Sequence, residues 1–208
     1  MRHAGLIAVL FALLLHAARA AEPVTLVALG TSLTSGYGLM PEETFTAQLT
    51  QALRAKGHDA KLIVAGVSGD TSAGGLARLD WVLTPETRGV IIELGSNDAL
   101  RGLAPEETER NLDRILAELK KRKIPALLTG MKAPRNLGRD YAAAFDPIYP
   151  RLAKKYDTVF YPFFLDGVAA NLTLNQEDGI HPNAAGVKLI VERMLPSVEQ
   201  LLARVRAE

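Results

Sequence analysis

Asp178 and His181 lie three residues apart in EDGIHPNAAG, just ahead of a final helical segment. In a turn, that spacing lets the carboxylate hold the imidazole Nδ1–H and leaves Nε2 as a base. Of the four histidines, His3 and His16 fall in the first 20 residues, and His58 is in KGHD, a polar turn between helix and strand. His181 is therefore the histidine available for catalysis. A base needs a nucleophile, and Ser32 follows an apolar run in ALGTSLTSGYGL, residues 28–39. The stretch lacks the Gly-x-Ser-x-Gly spacing of a strained nucleophile elbow, because Thr34 stands where the second glycine would be. The case for Ser32, with Ser35 as the alternative serine, must rest on what the rest of the chain supplies.

Two further loops supply hydrogen-bond donors. GVSGDTSAGG, 66–75, offers the backbone N–H of Gly69, unhindered by a side chain, and LGSNDALRG, 94–102, offers the amide of Asn97. Glycine, serine and asparagine are also the residues turns are made of, so no single loop is decisive. Taken together, they bring a nucleophile and oxyanion donors to three successive loops, as an acyl-transfer site requires.

The elements that must position these loops alternate along the chain. Short apolar runs at Val24–Leu29, Ala60–Ala65, Gly89–Leu94, Pro125–Thr129 and Thr158–Tyr161 read as strands. Amphipathic segments near Glu42–Lys56, Ser72–Leu83, Pro105–Arg122, Arg139–Tyr156 and Asn183–Arg204 read as helices. In the third, Leu112, Ile115, Leu116 and Leu119 recur at the spacing of one buried stripe. This alternation predicts an α/β fold, a five-stranded parallel sheet with helices on both faces. In open sheets of this kind ligands bind beyond the carboxyl ends of the strands, where the three loops lie.

Residues 1–20 are expected to be a cleaved signal peptide and residues 21–208 one domain. Arg2 gives a positive start, AGLIAVLFALLL at 4–15 is apolar, and Ala18-Arg19-Ala20 places small residues before a cleavage site. The mature chain would begin near Ala21, periplasmic or secreted, with no stable membrane anchor. Loss of Arg2 and Arg19 takes the formal charge from +1 to −1, which does not point to a nucleic-acid or membrane-surface partner. With no cysteine there is no thiolate nucleophile and no zinc–thiolate site. Asp70, Asp98 and Asp178 could surround a metal, but with one histidine available and no metal-spaced pair, no metal or other cofactor is expected.

GTSLTSGYG around Ser32, SGDTSAGGLARL from Ser68, ELGSNDALRG from Glu93 and DGIHP from Asp178 appear in the order of the four blocks of SGNH (GDSL-type) hydrolases. The chain resembles that family over essentially its whole mature length, and within it the bacterial periplasmic thioesterase/lysophospholipase and arylesterase branch. The resemblance implies a three-layer flavodoxin-like fold and a serine esterase mechanism. Ser32, His181 and Asp178 would form the triad. The Ser32 and Gly69 N–H groups and the Asn97 side chain would form the oxyanion hole, acting on a small acyl ester or thioester. The family usually has aspartate where Thr31 stands and often a second glycine where Ser96 stands. Thr31 removes a carboxylate next to the nucleophile, so a carboxylate restored there is expected to hold the loop more firmly and raise kcat modestly. The alternatives are a carbohydrate O-acetyl esterase or a non-catalytic exported binding domain. The loop GMKAPRNLGRDY, 130–141, is expected to wall the acyl or alcohol site through Met131, Pro134 and Leu137.

Overall fold

A computed structural model describes residues 23–207, so the expected signal peptide lies outside the described residues. Strands β1 (Val24–Gly30), β2 (Ala60–Gly66), β3 (Gly89–Glu93), β4 (Ala126–Thr129) and β5 (Val159–Tyr161) pair in parallel in the order β2-β1-β3-β4-β5. The inner strands are buried on both faces: every residue of β3 and β4 is buried. That is why they read as unbroken apolar runs rather than alternating ones.

The helices follow as α1 (Ser32–Ser35), α2 (Phe45–Ala55), α3 (Ser72–Ala77), α4 (Leu79–Val82), α5 (Ser96–Leu100), α6 (Pro105–Lys121), α7 (Gly138–Phe145), α8 (Ile148–Tyr156) and α9 (Ala184–Ala207). Right-handed crossovers put the β1–β2 connection on one face and the later ones on the other. Accordingly, α2 packs against α9, while α6 packs against α3 and α8. In α6, Pro105 opens the first turn, Glu106 and Glu107 follow it, and Lys120 and Lys121 close the last turn, all complementing the helix dipole. Its expected stripe of Leu112, Ile115, Leu116 and Leu119 is fully buried, each side chain worth about 1.5–3 kcal/mol.

Two segments expected as single helices are broken. Ser72–Leu83 divides at Arg78, whose backbone (φ −103°, ψ 5°) leaves the helical region and separates α3 from α4. Arg139–Tyr156 divides at Asp146-Pro147, because Pro147 has no N–H to continue α7 and instead starts α8. The direction of winding reverses between β1 and β3, so the loops leaving these two strands diverge and open a crevice at their carboxyl ends. Ser32 follows β1 and Asn97 follows β3.

Candidate active site

Thr31 leaves β1 in extended conformation, and α1 begins at Ser32, a residue 9% exposed. Ser32 Oγ lies 2.9 Å from His181 Nε2, and His181 Nδ1 lies 2.6 Å from Asp178 Oδ2. The other Asp178 oxygen accepts the backbone N–H groups of Ile180 and His181, each at 2.9 Å. These bonds, led by the His181 N–H and then its ring, hold the Asp178 carboxyl down at about 2, so it is ionised at neutral pH. An ionised acceptor on Nδ1 fixes the tautomer that leaves Nε2 to receive the Ser32 proton. The loop bearing the pair is closed by the Gln176 N–H on the His181 carbonyl (2.7 Å). Ser35 instead bonds the Ser32 carbonyl and Ser68 Oγ.

Sequence reasoning missed the support around this pair. The Tyr37 ring lies 4.6 Å from the His181 ring, tilted by 37°, and Gln176 Nε2 donates to the Tyr37 carbonyl at 2.8 Å. Nothing in the spacing of GYGLM connects it to a residue some 140 positions away. His58, in its polar turn, bonds Glu199 at 3.0 Å and ties that turn to α9.

Gly69 has φ +81°, a left-handed conformation that costs a side-chain-bearing residue, in a turn closed by the Asp70 N–H on the Val67 carbonyl at 3.0 Å. Arg101 Nη2 donates to the Gly69 carbonyl at 2.6 Å. Asn97, in the first turn of α5, donates one Nδ2 hydrogen to the Asp70 carbonyl at 2.8 Å, leaving the second for a ligand. Among the described residues, no protein acceptor takes the N–H of Ser32 or Gly69.

The three aspartates that could have shared a metal have separate partners. Asp70 meets Arg78 at 2.7 Å and Asp178 meets His181, while buried Asp98 accepts the Ser72 N–H (2.8 Å), Ser72 Oγ (2.5 Å) and Thr108 Oγ1 (3.1 Å). No group of three metal-ligating side chains occurs among the described residues.

The expectation for Thr31 is corrected. A carboxylate already lies beneath the turn that carries Ser32, supplied by buried Glu93 at the end of β3. Glu93 accepts the Thr31 N–H at 2.8 Å, the Thr31 hydroxyl at 3.0 Å and the Thr34 hydroxyl at 2.9 Å. Burial, partly offset by these donors, pushes the Glu93 carboxyl up to about 7. A lone charge closing the apolar strand GVIIE was the signal that could have found it. The loop 130–141 is also partly corrected: Met131 is in the core at 3% exposure, whereas Pro134 and Leu137 are half-buried.

The GDSL-like Lipase/Acylhydrolase family profile matches residues 28–189. Over 185 residues the chain is 40% identical to the thioesterase 1/protease 1/lysophospholipase L1 of Escherichia coli strain K12, a match covering 88% of each chain. It is 36% identical over 185 residues to an arylesterase of Vibrio mimicus, covering 88% of this chain and 92% of that one. The crystal structure of AlinE4, an SGNH-hydrolase family esterase, superposes with a TM-score of 0.74 at 49% identity, over 87% of this chain and 97% of its own.

Proposed function

The chain belongs to the GDSL-like lipase/acylhydrolase family and is a carboxylic ester hydrolase, and on that premise we propose that it is an exported serine esterase. It cleaves carboxylic ester or thioester bonds, of the aryl ester, acyl thioester or lysophospholipid type, with Ser32, His181 and Asp178 as the triad. The observation that carries this reading is the continuous chain from Ser32 Oγ through His181 to Asp178, at 2.9 and 2.6 Å.

Ser32 Oγ attacks the acyl carbon while His181 Nε2 takes its proton, and Asp178 holds the imidazolium in place. The oxyanion forms against the Ser32 N–H, the Gly69 N–H and the free Asn97 Nδ2 hydrogen, each donor worth about 2.7–4 kcal/mol of barrier. His181 then protonates the leaving alkoxide or thiolate, which departs and leaves an acyl ester on Ser32. Water, deprotonated by His181, attacks that ester, and collapse releases the acid and restores Ser32.

Export rests on the leader at residues 1–20, with the mature chain starting near Ala21 in the periplasm or medium. The intact mass of protein recovered from those fractions checks it.

Ser32→Ala is expected to fold as the parent does and to lose 10³-fold or more in kcat on a short p-nitrophenyl ester. A fluorophosphonate should label Ser32 in the parent and leave the variant unlabelled. A fully active Ser32→Ala would move the nucleophile elsewhere. An unlabelled, inactive parent would favour a binding domain on this fold.

A further inference from the structure

Resting on the reading of Gly69 and Asn97 as oxyanion donors, we propose that Asp70, gripped by Arg78, is the positioning residue that sets both donors at once. Asp70 bonds within both donor loops, as does Arg101 through its Nη2 on the Gly69 carbonyl and its N–H on the Asn97 carbonyl. The Asp70 link, however, is the one anchored to the strands through Arg78. The Asp70 N–H closes the turn that holds Gly69, and its carbonyl accepts the Asn97 amide at 2.8 Å. Its carboxylate accepts Arg78 Nε at 2.7 Å. A shift of Asp70 therefore moves the Gly69 N–H and the Asn97 Nδ2 together.

Arg78 fixes Asp70 to the sheet itself. Its Nη1 donates to the Ala65 carbonyl at 2.7 Å and its Nη2 to the Gly30 carbonyl at 2.8 Å. Gly30 is the last residue of β1, two before Ser32, and Ala65 lies near the end of β2, four before Gly69. One planar guanidinium thus references the nucleophile turn, the Gly69 turn and Asp70 to each other. Lysine cannot do this, because a single ammonium lacks the rigid fork. The break between α3 and α4 falls at Arg78 itself, where the side chain reaches back along the helix toward the strands. Gly74, midway between Asp70 and Arg78, makes room: a Cβ there would overlap Asp70 Oδ1. The side chains of Arg78 and Asp70 are only 19% and 16% exposed, so solvent screens the pair little.

The test compares Arg78→Lys and Asp70→Asn with Ser32→Ala and Asn97→Ala on a p-nitrophenyl ester. Active sites are counted by fluorophosphonate titration, so that an unfolded fraction cannot pass as slow turnover. Misplacing donors by a fraction of an ångström should lower kcat per titrated site about 10–100-fold with KM nearly unchanged, because the oxyanion exists only in the transition state. In the Asn97→Ala background the same substitution should cost several-fold less, since one of the donors it displaces is already gone. If Arg78→Lys fails to fold, Asp70→Asn carries the test, as it keeps the shape and the backbone carbonyl. Unchanged kcat per titrated site, or an undiminished loss in the Asn97→Ala background, would overturn the proposal. An active Ser32→Ala would instead overturn the reading beneath it.

Discussion

Thr31 shows how one side chain depends on what lies beneath it. It is fully buried, and both its N–H and its hydroxyl donate to Glu93. An aspartate at this position would set two carboxyl groups within hydrogen-bonding distance in a dry site, where both cannot stay ionised. Thr31→Asp is therefore expected to gain nothing in kcat at neutral pH and to destabilise by about 1–3 kcal/mol, more at pH 8 than at pH 5. Thermal melts at both pH values check this. A variant as stable as the parent at pH 8 would show that the two carboxyls share a proton at little cost. The structure brings Ser32, His181 and Asp178, all three named from the sequence, into one hydrogen-bonded chain. They could be picked out because four sequence blocks occur together and in order, not from their residue types, since serine and aspartate are ordinary turn residues. Glu93, Arg78 and Tyr37 were not legible, because each acts through a contact between segments far apart in sequence.

At the scale of elements, all five strands were legible to within a residue or two of their ends, since buried inner strands must be continuously apolar and the half-exposed edge strand β2 still carries the run Leu62–Ala65. The helical faces were legible for the same reason, whereas the breaks were legible only in part. Arg78 interrupts a helix whose apolar pattern continues, where its tertiary partners mark the stop. Pro147, in contrast, breaks its helix through its missing N–H, a signal present in the sequence. The short helices α1 and α5 read as loops, being too short to show a period. What fixes α5 against α3 is Asp98, buried at 1% exposure with Ser72 and Thr108 as donors. Asp98→Ala would leave the Ser72 N–H buried and unpaired, and bonds to a charged acceptor are worth about 1.5–3 kcal/mol each. The expected loss is about 3 kcal/mol, or about 6–12 °C in Tm for a chain of this size. Asp98→Asn, which keeps an acceptor for that N–H, should recover roughly half of the loss. A Tm for Asp98→Ala within 2 °C of the parent would mean that packing alone joins the two helices.

For the whole molecule, stability should carry the imprint of Glu93. Its carboxyl is raised to about 7 from an ordinary 4.5, so between those values the native state binds a proton that the unfolded chain has released. Stability from this group is thus fully present below pH 4.5, falls as pH rises, and is lost above pH 7. Asp178 acts the other way in a separate window: its carboxyl lies at about 2 against an ordinary 3.8, so its contribution is present above 3.8 and lost as pH falls through 2. The two windows do not overlap, so a change between pH 5 and pH 8 isolates Glu93 from Asp178. The exposed pairs Arg151–Glu109 and Lys155–Asp113 add little in any window. Over the full window the Glu93 contribution is of order 3 kcal/mol, a large part of the 5–15 kcal/mol that holds a typical domain folded. Glu93→Gln removes the titration while keeping an acceptor for the Thr31 N–H, and the Thr31 and Thr34 hydroxyls can rotate to accept its amide hydrogens. Denaturant unfolding at pH 5 and pH 8 should therefore show the parent losing about 2–3 kcal/mol more than Glu93→Gln across that interval. Parallel losses in the two proteins would place the Glu93 titration below this window, with Thr31 and Thr34 stabilising the carboxylate as fully as water does.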